Sequence, residues 1–459
     1  MKALFQKYKP YYGENLRLAI PVVISQLGHT LVQTADGIII GHFVGTTALA
    51  AVSLVNNVFA IGMVIGLGIS YGITPLIAQH NGRKQYNSCG KLLSNSLLIN
   101  IITGIILFVL TSFVMMQFIG RLGQDSAVVQ QARPFLFLMG ISLIPFMIFN
   151  TFKQFAEGLG FTRQAMQISI WGNVLNVCLG IIFVKGLFGI KPMGISGVGY
   201  STLIDRCTMA LVMSGYILKS DRFKKYLKNY TFGSINRLRS LSIFRIGTPV
   251  AMQYLFEVSA FSIAGIMVGT ISPIAQAAHI IALNMATLTY MAASGLAAAA
   301  AIKSGNFFGA KKHRDLRLSA TSNYHIVIAF MFMAALLFTF GNHILPWIYT
   351  SDKNVIYIAG QLLIVAALFQ LFDGTQVVGL GILRGMGDVN IPTIFTLIAY
   401  WIIGLPLGYL FGIQLKMGAT GVWYGLVMGL LTSSLLLFIR FQFISRKLRF
   451  RQKVIIAQD

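Results

Sequence analysis

The sequence predicts an all-α integral membrane protein of twelve transmembrane helices, arranged as two parallel six-helix repeat lobes around a central cavity. Three observations predict it. Of 459 residues, 56% are hydrophobic and only 10% charged, where a soluble domain carries roughly a quarter. Apolar runs of roughly 20 residues recur from Leu16 to Phe443, each long enough to cross a hydrocarbon core as a helix. The two halves of the chain also repeat one another.

Lipid cannot satisfy backbone N–H and C=O groups, so only helices and closed barrels span a membrane. Uninterrupted runs of this length exclude barrel strands. The expected spans are 16–39, 48–76, 92–117, 131–155, 164–184, 196–218, 240–268, 275–303, 320–342, 356–383, 391–412 and 419–444. The start of the chain carries Lys2, Lys7 and Lys9 but no short apolar stretch with a small-residue cleavage site, and reads as a tail. Cys89, Cys178 and Cys207 have no metal-ligand spacing and read as small core residues.

The formal charge of +24 raises the question of nucleic acid, and its distribution answers it. Lys2, Lys7, Lys9, Arg17, Arg83, Lys84, Arg163, the run from Lys219 to Arg239, Lys311 to Arg317 and Arg446 to Lys453 all fall on one side of the span map. Six basic residues, Arg121, Arg133, Lys185, Lys191, Lys353 and Lys416, mark the other. This is the positive-inside pattern, with both termini and the long central loop in the cytoplasm. The charge orients the protein and favours anionic membrane lipids; no nucleic-acid partner is expected.

The repeat runs at a near-constant offset. Pro21 matches Pro249 and Gly41 matches Gly269, both 228 residues apart. Ala50-Ala51 matches Ala277-Ala278, Gly68 matches Gly295, and Gly82 with Lys84 matches Gly309 with Lys311. Gly158-Leu159-Gly160 faces Gly385-Met386-Gly387, and Gly194 with Gly197-Val198 faces Gly418 with Gly421-Val422. Six spans per half is an even number, so both halves enter the bilayer in the same orientation, and transporters place their cavity between such repeats. The expected organisation is an N-terminal lobe over 1–218, a basic linker over 219–239, a C-terminal lobe over 240–445 and a tail over 446–459.

Only 12 acidic residues exist, and a charge at the bilayer centre costs roughly 2.5–3.5 kcal/mol on insertion scales. Four lie within the expected spans: Asp36, Asp205, Glu257 and Asp373. Asp205, beside Arg206, reads as a structural ion pair or helix contact. Asp36, Glu257 and Asp373 lack a local basic partner and mark a route for a cation or a proton. Gln33, Thr34, Asn173, Asn176, Thr202, Gln253, Gln370 and Gln376 are polar neighbours able to complete such sites. His279 reads as a helix contact. The chain has no G-x-x-x-x-G-K-[ST] phosphate loop, which excludes an ATP-driven pump built from it alone. It offers no nucleophile and base pair, so no enzyme and no cofactor is expected.

At these residues the sequence resembles the multidrug and toxic compound extrusion (MATE) family, in its NorM-like branch, over essentially the whole chain. Ala35-Asp36-Gly37 with Gly41, Gly45 and the run Ala48 to Ser53 carries the first match. Phe256-Glu257-Val258, Ala277-Ala278-His279 and Ala282-Leu283-Asn284 carry the second. Gln370 through Asp373, Gln376-Val377-Val378, Leu383-Arg384-Gly385 with Asp388, Tyr400-Trp401 and Gly404-Leu405-Pro406 carry the third. The resemblance implies export of cationic or amphipathic drugs across the bacterial inner membrane in exchange for Na⁺ or H⁺, by alternating access and with no obligate protein partner. It implies a second-lobe site, possible for Na⁺, at Glu257 and Asp373, and a first-lobe acid at Asp36 with Asn176 and Thr202 around it. Asp36, Gln33, Asn284 and Gln370 are expected to meet the substrate. Phe369 stands where some NorM proteins have a tyrosine, and Gly180 where some have a second asparagine. A lipid-linked oligosaccharide flippase of the same broad architecture is the alternative; its pyrophosphate substrate asks for basic residues in mid-span.

Overall fold

The computed structural model describes residues 2–121, 125–233 and 235–456, so Ser234 of the expected linker and the last three residues of the expected tail lie outside the described residues. Twelve long helical segments follow one another: α1 (Lys2–Phe43), α2 (Thr46–Gly82), α3 (Tyr86–Ile119), α4 (Ser126–Gly158), α5 (Thr162–Lys185), α6 (Ile195–Lys219), α7 (Arg237–Gly269), α8 (Pro273–Gly309), α9 (His313–Gly341), α10 (Lys353–Gly385), α11 (Asn390–Gln414) and α12 (Gly418–Ile456). No strand occurs among the described residues. Each expected span coincides with one helix. Eleven of the twelve are long and apolar enough to cross a membrane. The exception, α6, has 25 residues but carries Asp205 and Arg206 midway. Cys89 is buried as expected, whereas Cys178 is exposed.

In α11, π-type stretches at Ile398–Gly404 and Leu410–Gln414 flank Pro406. Proline offers no N–H, and its ring crowds the carbonyl four residues back; widening the helix to i→i+5 bonds absorbs the mismatch.

The repeat is written into the loops as well as the helices. Among the described residues, four non-glycine residues adopt positive φ: Lys84 (59°), Lys311 (58°), Phe188 (58°) and Lys416 (55°). They form two pairs, 227 and 228 residues apart. α2 and α8 end in the same way. Lys84 N–H donates to Asn81 O (2.9 Å) and Gln85 N–H to His80 O (2.9 Å); Lys311 N–H donates to Phe308 O (3.1 Å) and Lys312 N–H to Phe307 O (2.9 Å). Both are Schellman closures with a left-handed residue after the last turn. Lysine in that conformation carries a steric cost that glycine does not, and both copies retain it.

Contacts divide the chain into two compact units, Ile24–Ala251 and Met1–Val23 with Met252–Asp459. The divisions fall two residues beyond Pro21 and Pro249, the repeat-related prolines inside α1 and α7. In the second unit, the first turns of α1 dock through Tyr11 Oη donating to Asp315 Oδ1 (2.8 Å) and Asn15 Nδ2 donating to Ser322 Oγ (2.7 Å). A Glu14–Lys303 ion pair joins them. In the first unit, the start of α7 is held where the backbone N–H of Asn236 donates to Asn95 Oδ1 (2.6 Å). Two glycines set the spacing of α8 and α10: a Cβ on Gly381 would lie 2.3 Å from Ala297 O, and one on Gly385 2.5 Å from Ala301 O. Small residues four apart let helix backbones touch, the device that replaces hydrophobic drive in lipid.

Candidate functional site

Helices α7, α8 and α10 line an open cavity of about 560 Å³ in the second unit. Tyr254, Glu257, Val258, Phe261, Ser262 and Gly265 line it from α7, a spacing of three and four that puts them on one helix face. Phe369 and Asp373, four apart on α10, complete the wall opposite His279, Leu283, Thr287 and Tyr290 of α8. A pocket of this size with apolar walls and few polar groups suits a small organic ligand.

The two carboxylates sit together inside it. Glu257 is 6% exposed and Asp373 2% exposed, and Asp373 lies in the field of Glu257. Asp373 Oδ2 has no hydrogen-bond partner among the described residues. The Tyr400 hydroxyl lies beside Glu257 and donates to Gln376 Oε1 at 2.9 Å. Gln370, fully buried, accepts from Thr289 Oγ1 at 2.8 Å. Aromatic faces surround the acids, with Phe261 5.9 Å from both Phe369 and Tyr400. Arg384 stacks over the Tyr254 ring at 5.8 Å and acts on Glu257 from a distance.

The first unit holds a second group. Asn176 Nδ2 donates to Thr202 Oγ1 at 3.3 Å; both are buried, and Asn176 Oδ1 is unpartnered among the described residues. Asp36 is half-buried with its Oδ1 unpartnered, in the field of Asp205 and Arg206. Asp205 reads from the sequence as an ion pair with Arg206 or as a helix contact, and the ion pair does not form within 4 Å among the described residues. Arg206 instead donates to Ser142 Oγ (2.7 Å) and lies over the rings of Phe59 (5.2 Å) and Phe146 (4.8 Å). Successive residues on a helix diverge by about 100° and do not face each other, so adjacency in sequence argued against that pair.

The structure thus gathers Glu257 and Asp373 at one cavity, and Asp36, Asn176 and Thr202 in one unit. Gln370 lies in the hydrogen-bonded layer behind the first cavity. Gln33 and Asn284 are exposed, and Asn284 is not part of the cavity wall. Tyr254 and Tyr290 line the cavity without having been singled out; a tyrosine on an acid-bearing helix face was the available signal. Glu157, 3% exposed, was overlooked because the apolar window of α4 closes at residue 155. Among the described residues no group of three or more His, Cys, Asp or Glu side chains could hold a metal ion.

A duplicated all-helical bundle with membrane-length helices and buried mid-span acids defines a multi-pass membrane transporter. The chain belongs to the MatE family, whose model matches it twice, over residues 21–182 and 249–410, once in each half. It is 31% identical to the multidrug resistance protein NorM of Photobacterium profundum over 95% of this chain and 96% of that one. It is 29% identical to the multidrug resistance protein MdtK of Photorhabdus laumondii over 95% of this chain and 96% of that one. The fold matches an outward-facing multidrug resistance MATE transporter (TM-score 0.88, 20% identity, 96% of this chain and 97% of that chain). It also matches a eukaryotic MATE transporter (TM-score 0.86, 20% identity, 97% of this chain and 99% of that chain).

Proposed function

We propose that the protein is a secondary active antiporter of the bacterial inner membrane, with both termini cytoplasmic, that exports cationic and amphipathic drugs in exchange for Na⁺ or H⁺. The observation that carries this reading is the pairing of Glu257 and Asp373 inside an aromatic-walled cavity. Two carboxylates in one low-dielectric site repel each other, and an entering cation or proton relieves that repulsion. A planar organic cation gains from the same charges and from the ring faces. Drug and coupling ion therefore compete for one set of groups. A ligand that binds two conformations unequally shifts their populations, and this competition links ion entry to drug release.

Residues 1–218 and 240–445 act as the lobes in this cycle, and Asp36 with Asn176 and Thr202 forms the corresponding cation site of the first. The multidrug names of the relatives support the substrate class. The flippase alternative is disfavoured because no lysine or arginine lines the large cavity.

The test is ethidium retention in an efflux-deficient bacterium expressing the wild type, Glu257→Gln or Asp373→Asn at matched membrane levels. The reading expects low ethidium with the wild type and high ethidium with either variant. Equal export by all three would refute the assignment of the acids.

A further inference from the structure

Arg384 lies just outside the wall of the large cavity, and the backbone around it fixes its place. Gly381, three residues before it, and Gly385, directly after it, hold α10 against the carbonyls of Ala297 and Ala301 on α8. The half-buried guanidinium stacks over the Tyr254 ring at 5.8 Å. Tyr254 and Glu257 line the cavity from one face of α7, roughly one helical turn apart. The field of Arg384 reaches the Glu257 carboxylate. Asp373 is eleven residues away on α10 itself, about 16 Å along the axis.

The repeat supplies a control for this charge. Gly158-Leu159-Gly160 matches Gly385-Met386-Gly387, and the residue before each first glycine is Glu157 in one copy and Arg384 in the other. Glu157 is 3% exposed, with Lys153 acting on it from one turn earlier. At the same offsets, His29 and Phe146 occupy the places of Glu257 and Asp373, and their rings stack 6.2 Å apart. One backbone thus accepts either sign of charge at this position, so the fold itself does not call for an arginine. The arginine accompanies the paired acids.

A guanidinium stays protonated at every pH a protein survives. With both acids ionised, Glu257, Asp373 and Arg384 together leave one net negative charge in the interior. One positive charge on a ligand neutralises it. A second would be stripped of water with no carboxylate left to compensate it.

We infer that Arg384 is the internal counter-charge of the Glu257–Asp373 site and sets it to take organic cations of single charge in preference to dications. This rests on the export reading for the cavity as the drug site, and deepens it by naming the charge class and the residue that selects it.

The test compares ethidium with propidium, which shares its phenanthridinium ring system and carries a second quaternary ammonium. Binding of each dye to purified full-length protein in detergent, read by dye fluorescence, gives the ratio of the two affinities. The wild type is expected to bind ethidium at least as tightly as propidium. Arg384→Gln should raise the propidium-to-ethidium ratio roughly tenfold, the scale of one unit charge acting across a protein interior, and Arg384→Lys should keep the wild-type ratio. The double variant Glu257→Gln/Arg384→Gln restores the net charge. Its ratio should return to the wild-type value and stand about tenfold above that of Glu257→Gln alone, a comparison that serves even where Arg384→Gln by itself does not fold. Lost packing would weaken both dyes together and leave the ratio unmoved. A ratio that Arg384→Gln does not move in either background, or a wild type that favours propidium, would overturn the inference and leave the export reading standing. A wild type that binds neither dye would contradict both.

Discussion

Trp423 Nε1 donates to His279 Nδ1 at 3.0 Å, with both side chains essentially buried. An indole nitrogen is only a donor, so Nδ1 must accept and the ring proton resides on Nε2. His279 is therefore held as a neutral, oriented wall of the large cavity. Trp423→Phe removes the bond and leaves a small void, and should destabilise the protein by about 1–3 kcal/mol, seen as a lower melting temperature. His279→Asn, which keeps a hydrogen-bonding side chain, should retain gradient-driven drug export. Complete loss of export with normal folding would assign His279 a direct role in coupling.

Tyr400 is fully buried, and its hydroxyl links Gln376 to the neighbourhood of Glu257. Tyr400→Phe deletes one hydrogen bond and strands the Gln376 acceptor, at a cost of about 1–3 kcal/mol. The expected result is a several-fold rise in the coupling-ion concentration needed for half-maximal export, with the maximal rate less affected. Titrating ion-driven ethidium flux in reconstituted vesicles checks it; unchanged ion dependence would remove Tyr400 from the cation site.

Arg206 is 5% exposed, with Ser142 as its hydrogen-bond acceptor and two phenyl rings against it. Replacing a whole buried ion pair by apolar chains is often neutral or stabilising, whereas removing one charge leaves those in its field uncompensated. Asp36 and Asp205 lie in the field of Arg206, so Arg206→Met should melt clearly below the wild type and below Ser142→Ala, which loses one hydrogen bond. An Arg206→Met that melts at the wild-type temperature would mean that the two acids do not depend on the guanidinium.

The close approach of α8 and α10 makes its own prediction. Gly381→Ala places a methyl 2.3 Å from Ala297 O, where no flexible side chain can yield. Overpacking of this kind costs about 1–3 kcal/mol or more. Yield and melting temperature should both fall, whereas Gly215→Ala, with open space around its Cβ position, should behave as wild type.

Much of this architecture is legible in the sequence, because lipid leaves the backbone one solution. Apolar length located the helices, and paired residues such as Lys84 and Lys311 gave the repeat that their shared backbone geometry later displays. α6 shows the limit: Asp205 and Arg206 lower its apolarity although it is as long as α5. Among site residues, Glu257 and Asp373 stood out because isolated acids in a membrane are costly. Their convergence depends on which face of α7 meets α10, and periodicity does not state that. Asn284 shows the same gap, as a polar residue on an acid-bearing half of the chain whose position on α8 turns away from the cavity. Arg384 and Tyr254 come from helices distant in sequence, so their stacking has no signature in the chain.

If ion entry at Glu257 and Asp373 drives drug export, the purified protein must move ethidium when an ion gradient alone is supplied. Purified protein reconstituted in liposomes is given a Na⁺ gradient or an H⁺ gradient separately, and ethidium movement is followed for the wild type and Glu257→Gln. Ethidium transport is expected under at least one gradient, abolished in the variant, with the effective gradient naming the coupling ion. Folded wild-type protein that moves no ethidium under either gradient, or a variant that transports as well as wild type, would contradict it.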